Sequence, residues 1–184
     1  MGNPGRNYQF SRHNIGFEAL DCISKEYGIR VLRARFSSLS GEGRIGGVNA
    51  VLLKPMTFMN LSGKAVAAAA AYYMIPPERI LVICDDIALP PGSIRIRAKG
   101  SSGGQKGLLS IEDMLGSSDF MRIRIGIGNP VDMDLPDYVL SNPTFSERQK
   151  ITERFGDVTK AVEMILQGDM EGAQSRYNRA GNGC

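Results

Sequence analysis

The chain of 184 residues has one histidine, no tryptophan and three cysteines. Cys22, Cys84 and Cys184 show no close paired spacing, and His13 has no second histidine to work with. A zinc centre built from several His and Cys ligands is therefore excluded. Any imidazole chemistry near neutral pH must run through His13. An odd number of cysteines in a chain large enough to build its own core argues against a disulfide framework and fits a reducing compartment. Cys22 and Cys84 are expected as small buried apolar residues. No apolar run is long enough to span a bilayer, and the opening Met-Gly-Asn-Pro-Gly-Arg has no apolar segment of the kind a secretory signal needs. A cytoplasmic location is the expectation.

What is present suits one compact domain over residues 1–184, with a loose tail at about 178–184. Hydrophobic residues make up 42% and charged residues 22%, enough for a core and far from a disordered composition. The net charge of +3 does not by itself establish a nucleic-acid partner. Its distribution says more. Arg95, Arg97, Lys99, Lys106, Arg122 and Arg124 stand against Glu112, Asp113 and Asp119 in one stretch, a local excess able to meet phosphates or simply to face solvent.

Periodicity places the elements. Ile15, Ala19, Ile23 and Tyr27 recur at helical spacing, with Gly28 as a stop. Val48 to Leu53 reads as a strand ending at Lys54-Pro55, and an alanine-rich helix follows to about Met74, with Asn60 or Ser62 as its expected cap. Ile80 to Cys84 is continuously apolar, as in a strand covered on both faces, and it runs into Asp85-Asp86. Ser93 to Ala98 and Met121 to Ile127 alternate, each with arginines opposite an isoleucine face. A glycine-rich stretch, 99–107, leads to a helix ending near Leu115, and a final helix is expected from Ser146 to about Leu166. Alternating strands and helices predict an α/β fold: one domain with a twisted mixed β-sheet flanked by helices.

Three features invite chemistry. His13 lies in the polar tetrad Ser11-Arg12-His13-Asn14 ahead of a helix, where a bare histidine is more often a surface or capping residue. Asp85 ends the apolar strand, the place where ligands and catalytic groups of open α/β sheets collect. The glycine-rich stretch has backbone amides at a helix start that suit phosphate, although it fails the Walker pattern because Gln105-Lys106-Gly107 stands where Gly-Lys-Ser or Gly-Lys-Thr is needed.

Five segments in order carry a resemblance that no one of them carries alone: Gly2-Asn3-Pro4-Gly5-Arg6-Asn7-Tyr8, Arg12-His13-Asn14-Ile15-Gly16-Phe17, Lys54 through Gly63, Asp85 through Gly92, and Arg122 through Gly128. Together they closely resemble the bacterial-type peptidyl-tRNA hydrolases, from Gly2 to about Asn178. The resemblance implies a monomeric enzyme without metal or cofactor that hydrolyses the ester joining a peptide to tRNA. It implies His13 as the catalytic histidine, Asp85 as the acid that orients it, and Asn60 as the residue that positions water or substrate. Asn3 and Tyr8 match residues lining the channel for the peptide and the 3′ end, and Arg97 and Arg124 match two basic positions that grip the tRNA 5′-phosphate. Both arginines leave the apolar face of their strands, which permits one shared phosphate site. The competing reading is an RNA-binding member of the same fold without catalysis, which would need no oriented imidazole.

Two departures qualify the match. The family usually has His-Asn ahead of the last glycine of the glycine-rich stretch; here Gln105-Lys106 stands, and Lys106 is expected to replace an amide contact with a charged one. The family also has a short apolar strand ahead of Gly-Asn-Pro-Gly, and this sequence starts almost at that motif. The expectation is that the sheet lacks a strand or that the strand lies upstream of Met1. Five or six buried apolar residues at about 1.5–3 kcal/mol each would rival a whole domain's net stability of about 5–15 kcal/mol.

Overall fold

The computed structural model describes residues 1–178. One sheet places β6 (Met121–Gly126) in the middle, with β4 (Leu81–Asp86), the continuous apolar run, parallel to it on one side and β5 (Ile94–Arg97) antiparallel on the other. Ile83 packs with the isoleucines of β5 and β6 against α1 (Ile15–Glu26) and α6 (Phe155–Leu166). Val82 and Cys84 point into a second cluster with Leu108 and Ile111 of α3 (Lys106–Leu115). Cover on both faces is what a β4 without alternation requires. Burial pushes the Cys84 thiol up to about 12, so it is inert packing, whereas Cys22 is exposed on α1 rather than buried as expected.

A second sheet is an antiparallel meander of β1 (Arg33–Arg35), β2 (Ser38–Ile45) and β3 (Val48–Pro55). The α/β class with mixed strand directions holds, but the strands divide between two three-stranded sheets instead of forming one. The outer edges of β3 and β4 have no strand partner among the described residues, and both border a slot of about 550 Å³. Leu20 and Ile23 of α1, Ala69 of α2 (Ser62–Tyr73) and Val162 and Ile165 of α6 complete its apolar lining. At one end the Met1 ammonium donates to the Ile83 carbonyl at 2.6 Å; burial lowers its pKa from 8.0 to about 6.

Several local expectations shift. Neither Asn60 nor Ser62 caps α2: Leu61 takes the cap position, Ser62 begins the helix, and its buried hydroxyl has no partner. The close approach of α2 to α3 fixes that start, because a Cβ on Gly63 would collide with the Ser110 carbonyl. The expected final helix is two, α5 (Phe145–Thr152) and α6, parted where the Thr152 hydroxyl donates back to the Arg148 carbonyl at 3.0 Å, a contact that bends helices. The short helices α4 (Leu135–Leu140) and α7 (Met170–Tyr177) were not anticipated. No helix among the described residues is long and apolar enough to cross a membrane. The expected loose tail falls at 178–184, of which 179–184 lie outside the described residues.

Candidate active site

His13 sits on a 3-10 turn, Arg12–Asn14, that runs directly into α1. Its neighbours on both sides hold it. Arg12 is buried and donates to the Ser141 hydroxyl and the Asn142 carbonyl, both at 2.7 Å, and to Glu147 at 2.8 Å, while its guanidinium stacks over Tyr138. Burial alone would raise the Glu147 pKa, but hydrogen bonds from Thr144 and the Arg12 charge outweigh it and hold the carboxyl below its usual range. On the other side Asn14 clasps Asn3: Asn14 Oδ1 accepts from the Asn3 amide at 2.7 Å and Asn14 Nδ2 donates to the Asn3 carbonyl at 3.0 Å. The turn is fixed in position, and the imidazole with it.

That imidazole meets Asp85 at the carboxyl end of β4, with His13 Nδ1 2.8 Å from Asp85 Oδ2. The side chains are 12% and 3% exposed, so the pair is nearly shielded while His13 retains an opening to solvent. A carboxylate can only accept, so the pairing puts the neutral ring's proton on Nδ1 and leaves a lone pair on Nε2. His13 Nε2 has no hydrogen-bond partner among the described residues. This is the geometry of a general base with a fixed tautomer.

Asn3 reaches further than the lining role expected of it. Its Oδ1 accepts from the Met59 amide at 2.8 Å, tying the amino-terminal segment to the 3-10 turn Met59–Leu61. Asn60, next in that turn, is exposed, and its amide has no protein partner among the described residues. Tyr8 is half-buried, and its carbonyl accepts from the Ser11 hydroxyl at 2.9 Å and amide at 3.0 Å, so its backbone supports the His13 turn.

The basic residues divide. β5 and β6 pair with Arg95 opposite Arg124 and Arg97 opposite Arg122, so the strands carrying the two expected phosphate ligands are indeed neighbours. Arg97 is exposed, and so is Lys106 in the first turn of α3, where no acidic residue offsets it. Arg122 is fully buried and donates to the carbonyls of Gly100, Ser101, Ser118 and Phe120. Arg124 is only 13% exposed: its guanidinium lies 3.3 Å from Asp86 and donates to the carbonyls of Ser101 at 2.8 Å and Ser102 at 3.1 Å. The glycine-rich segment thus turns carbonyls towards two arginines. Burial and the neighbouring Arg124 charge both lower the pKa of Arg122.

Two side chains at the site were not singled out from sequence, Arg12 and Gln105. Gln105 Nε2 donates to Asp85 Oδ1 at 3.1 Å and Gln105 Oε1 accepts from the Leu108 amide at 2.8 Å. The signals in the sequence were its place immediately before an apolar helical run and its departure from the family's His-Asn. No group of three or more His, Cys, Asp or Glu side chains suited to a metal ion occurs among the described residues.

The family model for peptidyl-tRNA hydrolase matches residues 1–183. The chain belongs to the peptidyl-tRNA hydrolase family. It is 48% identical over 178 residues to the peptidyl-tRNA hydrolase of Caldanaerobacter subterraneus subsp. tengcongensis, covering 97% of this chain and 96% of that one. It is 44% identical over 181 residues to that of Carboxydothermus hydrogenoformans, covering 98% and 97%. The solved structure of peptidyl-tRNA hydrolase from Acinetobacter baumannii superposes with a TM-score of 0.93 at 34% identity, over 97% of this chain and 92% of that one. The His13–Asp85 pair therefore lies in a fold shared along its length with members of this family.

Proposed function

We propose that this protein hydrolyses the ester bond joining a peptide to the terminal ribose of tRNA, with His13 as general base. The observation that carries the reading is the His13 Nδ1–Asp85 Oδ2 contact at 2.8 Å, with Nε2 open. In this reading Nε2 takes a proton from water as the water oxygen attacks the ester carbonyl. Asp85 stabilises the imidazolium that forms, and the same proton then passes to the departing ribose oxygen, leaving a free carboxylic acid and a free tRNA hydroxyl. Base assistance of this kind is worth roughly a hundred- to ten-thousandfold in rate. The exposed Asn60 amide donates to the carbonyl oxygen as it gains charge. Asn3 keeps Asn60 in place through Met59, and Tyr8 supports the His13 turn and borders the channel.

The tRNA backbone meets the exposed cations. Arg97 is exposed, and beyond the bond that its Nη1 donates to the Ile96 carbonyl at 3.3 Å its guanidinium faces solvent, where it can meet a phosphate. Arg124, engaged by Asp86 and the loop, contributes a fixed positive charge on the neighbouring strand. Lys106 stands at the amino end of α3, where the helix dipole already favours an anion. The protein acts in this reading as a cytoplasmic monomer with no cofactor.

The test is release of N-blocked peptide from tRNA by the wild type and His13→Ala, beside binding of the same tRNA. Lost hydrolysis with retained binding is the expected outcome. Binding without hydrolysis by the wild type overturns it in favour of a non-catalytic RNA-binding protein. Arg97→Ala is expected to weaken tRNA binding and flatten its salt dependence, while hydrolysis of a short aminoacyl-nucleotide ester changes little.

A further inference from the structure

We propose that Gln105 is a positioning residue for the dyad, holding the second oxygen of Asp85 so that the first faces His13. The proposal rests on the reading of His13 and Asp85 as the catalytic pair. Asp85 is almost wholly buried, and a buried carboxylate is stable only where its oxygens are hydrogen-bonded. Among the described residues its side chain has two donors, His13 on Oδ2 and Gln105 on Oδ1. With His13 occupied by its own proton traffic during the reaction, Gln105 is the one donor whose state does not change.

The orientation of the Gln105 amide is set by chemistry. Its Oε1 accepts from the Leu108 amide, and its Nε2 faces both Asp85 Oδ1 and, at 3.4 Å, the Met59 sulfur. Flipping the amide would set oxygen against carboxylate and one N–H against another, so only one assignment satisfies every partner. Gly103 and Gly104, both with left-handed backbone (φ 59° and 82°), turn the chain just ahead of it. The same side chain therefore caps α3, touches the turn that carries Asn60, and fixes Asp85. A residue that only capped a helix would need just the oxygen.

Two variants separate those roles. Gln105→Glu keeps an oxygen for the Leu108 amide but replaces the donor with a carboxylate facing Asp85. Gln105→Met keeps the length and removes both. Because His13 is the protein's sole histidine, its imidazole proton resonance is unique, and its pKa can be titrated by NMR without any assay of hydrolysis. The expected result for Gln105→Glu is an upward shift of the His13 pKa and of the acidic limb of kcat/KM on a short aminoacyl-nucleotide ester, in step, since added negative charge favours the imidazolium. At pH above both limbs, kcat should still fall by about tenfold to a hundredfold, the effect of one hydrogen bond to a charged group, with KM little changed. Gln105→Met should lower kcat similarly and lower Tm as well. An unchanged His13 titration and kcat in Gln105→Glu, with only Tm moving in Gln105→Met, would overturn the proposal and leave Gln105 a cap. If the His13 titration shifts but the wild type hydrolyses no ester, the positioning stands and the functional reading fails.

Discussion

The two halves of β4 have opposite surroundings. At its carboxyl end Asp85 receives His13 and Gln105, and Asp86 receives Arg124 and the Ala88 amide at 2.8 Å. At its amino end Leu81, Val82 and Ile83 border an apolar slot, and the edge of the strand facing it has no strand partner among the described residues. The two ends answer to different physics. A buried charge left unpaired costs several kcal/mol, and at the carboxyl end Asp85 and Asp86 are each paired. At the amino end the open slot forgoes dispersion contacts that are individually small and collectively large. The Met1 amine sits at the seam, donating to one carbonyl, and burial there disfavours its charged form.

Changes at each half should test this contrast. The largest effect belongs to the polar end. Asp85→Asn preserves the shape but can donate to His13 Nδ1 and so favours the wrong tautomer; steady-state hydrolysis should fall about a thousandfold or more with tRNA binding retained. Next is the slot. An apolar five-residue strand fused ahead of Met1 should enter between β3 and β4 and raise stability by several kcal/mol, which for a chain of this length means a Tm increase of about 10 °C. A fused strand with a central Lys should give no such gain, and equal melting points for both fusions would remove the slot as a strand seat. The smallest effect is at the seam. The Met1 amine has its folded pKa near 6, below its ordinary 8.0, so the unfolded chain binds more protons between those values. Stability should therefore rise with pH across that window, by at most about 2.7 kcal/mol, and be flat above it with respect to this group. The apolar fusion removes the amine, so the difference between the two denaturation profiles from pH 6 to 8 isolates its contribution.

The legible parts of the fold were those whose signal is local. β4 was readable because cover on both faces leaves a continuous apolar run, and β5 and β6 because isoleucine and arginine alternate. β2 carried no such signal. Its Gly41 and Gly43 leave room for the Arg30 carbonyl and the Ile29 side chain, so packing there selects small residues instead of apolar ones. The site divides in the same way. His13 and Asp85 stood out through scarcity and through position at a strand end, whereas Gln105 acquires its role only when the glycine-rich segment folds back onto Asp85. Arg124 read as a free cation for the matching reason, since Asp86 and the Ser101 and Ser102 carbonyls approach it only in three dimensions.

The anchors of Arg12 have a consequence for the order of synthesis. The turn that carries His13 is made near the start of the chain, yet Arg12 is held by Ser141, Asn142 and Glu147, and Asp85 by Gln105. These are contacts of high sequence separation, which form only after the distant partner exists. While the chain is still attached to its own tRNA and shorter than about Glu147, its histidine lacks the supports that aim it. A protein proposed to cut peptides from tRNA is thus itself such a peptide before it has a finished site.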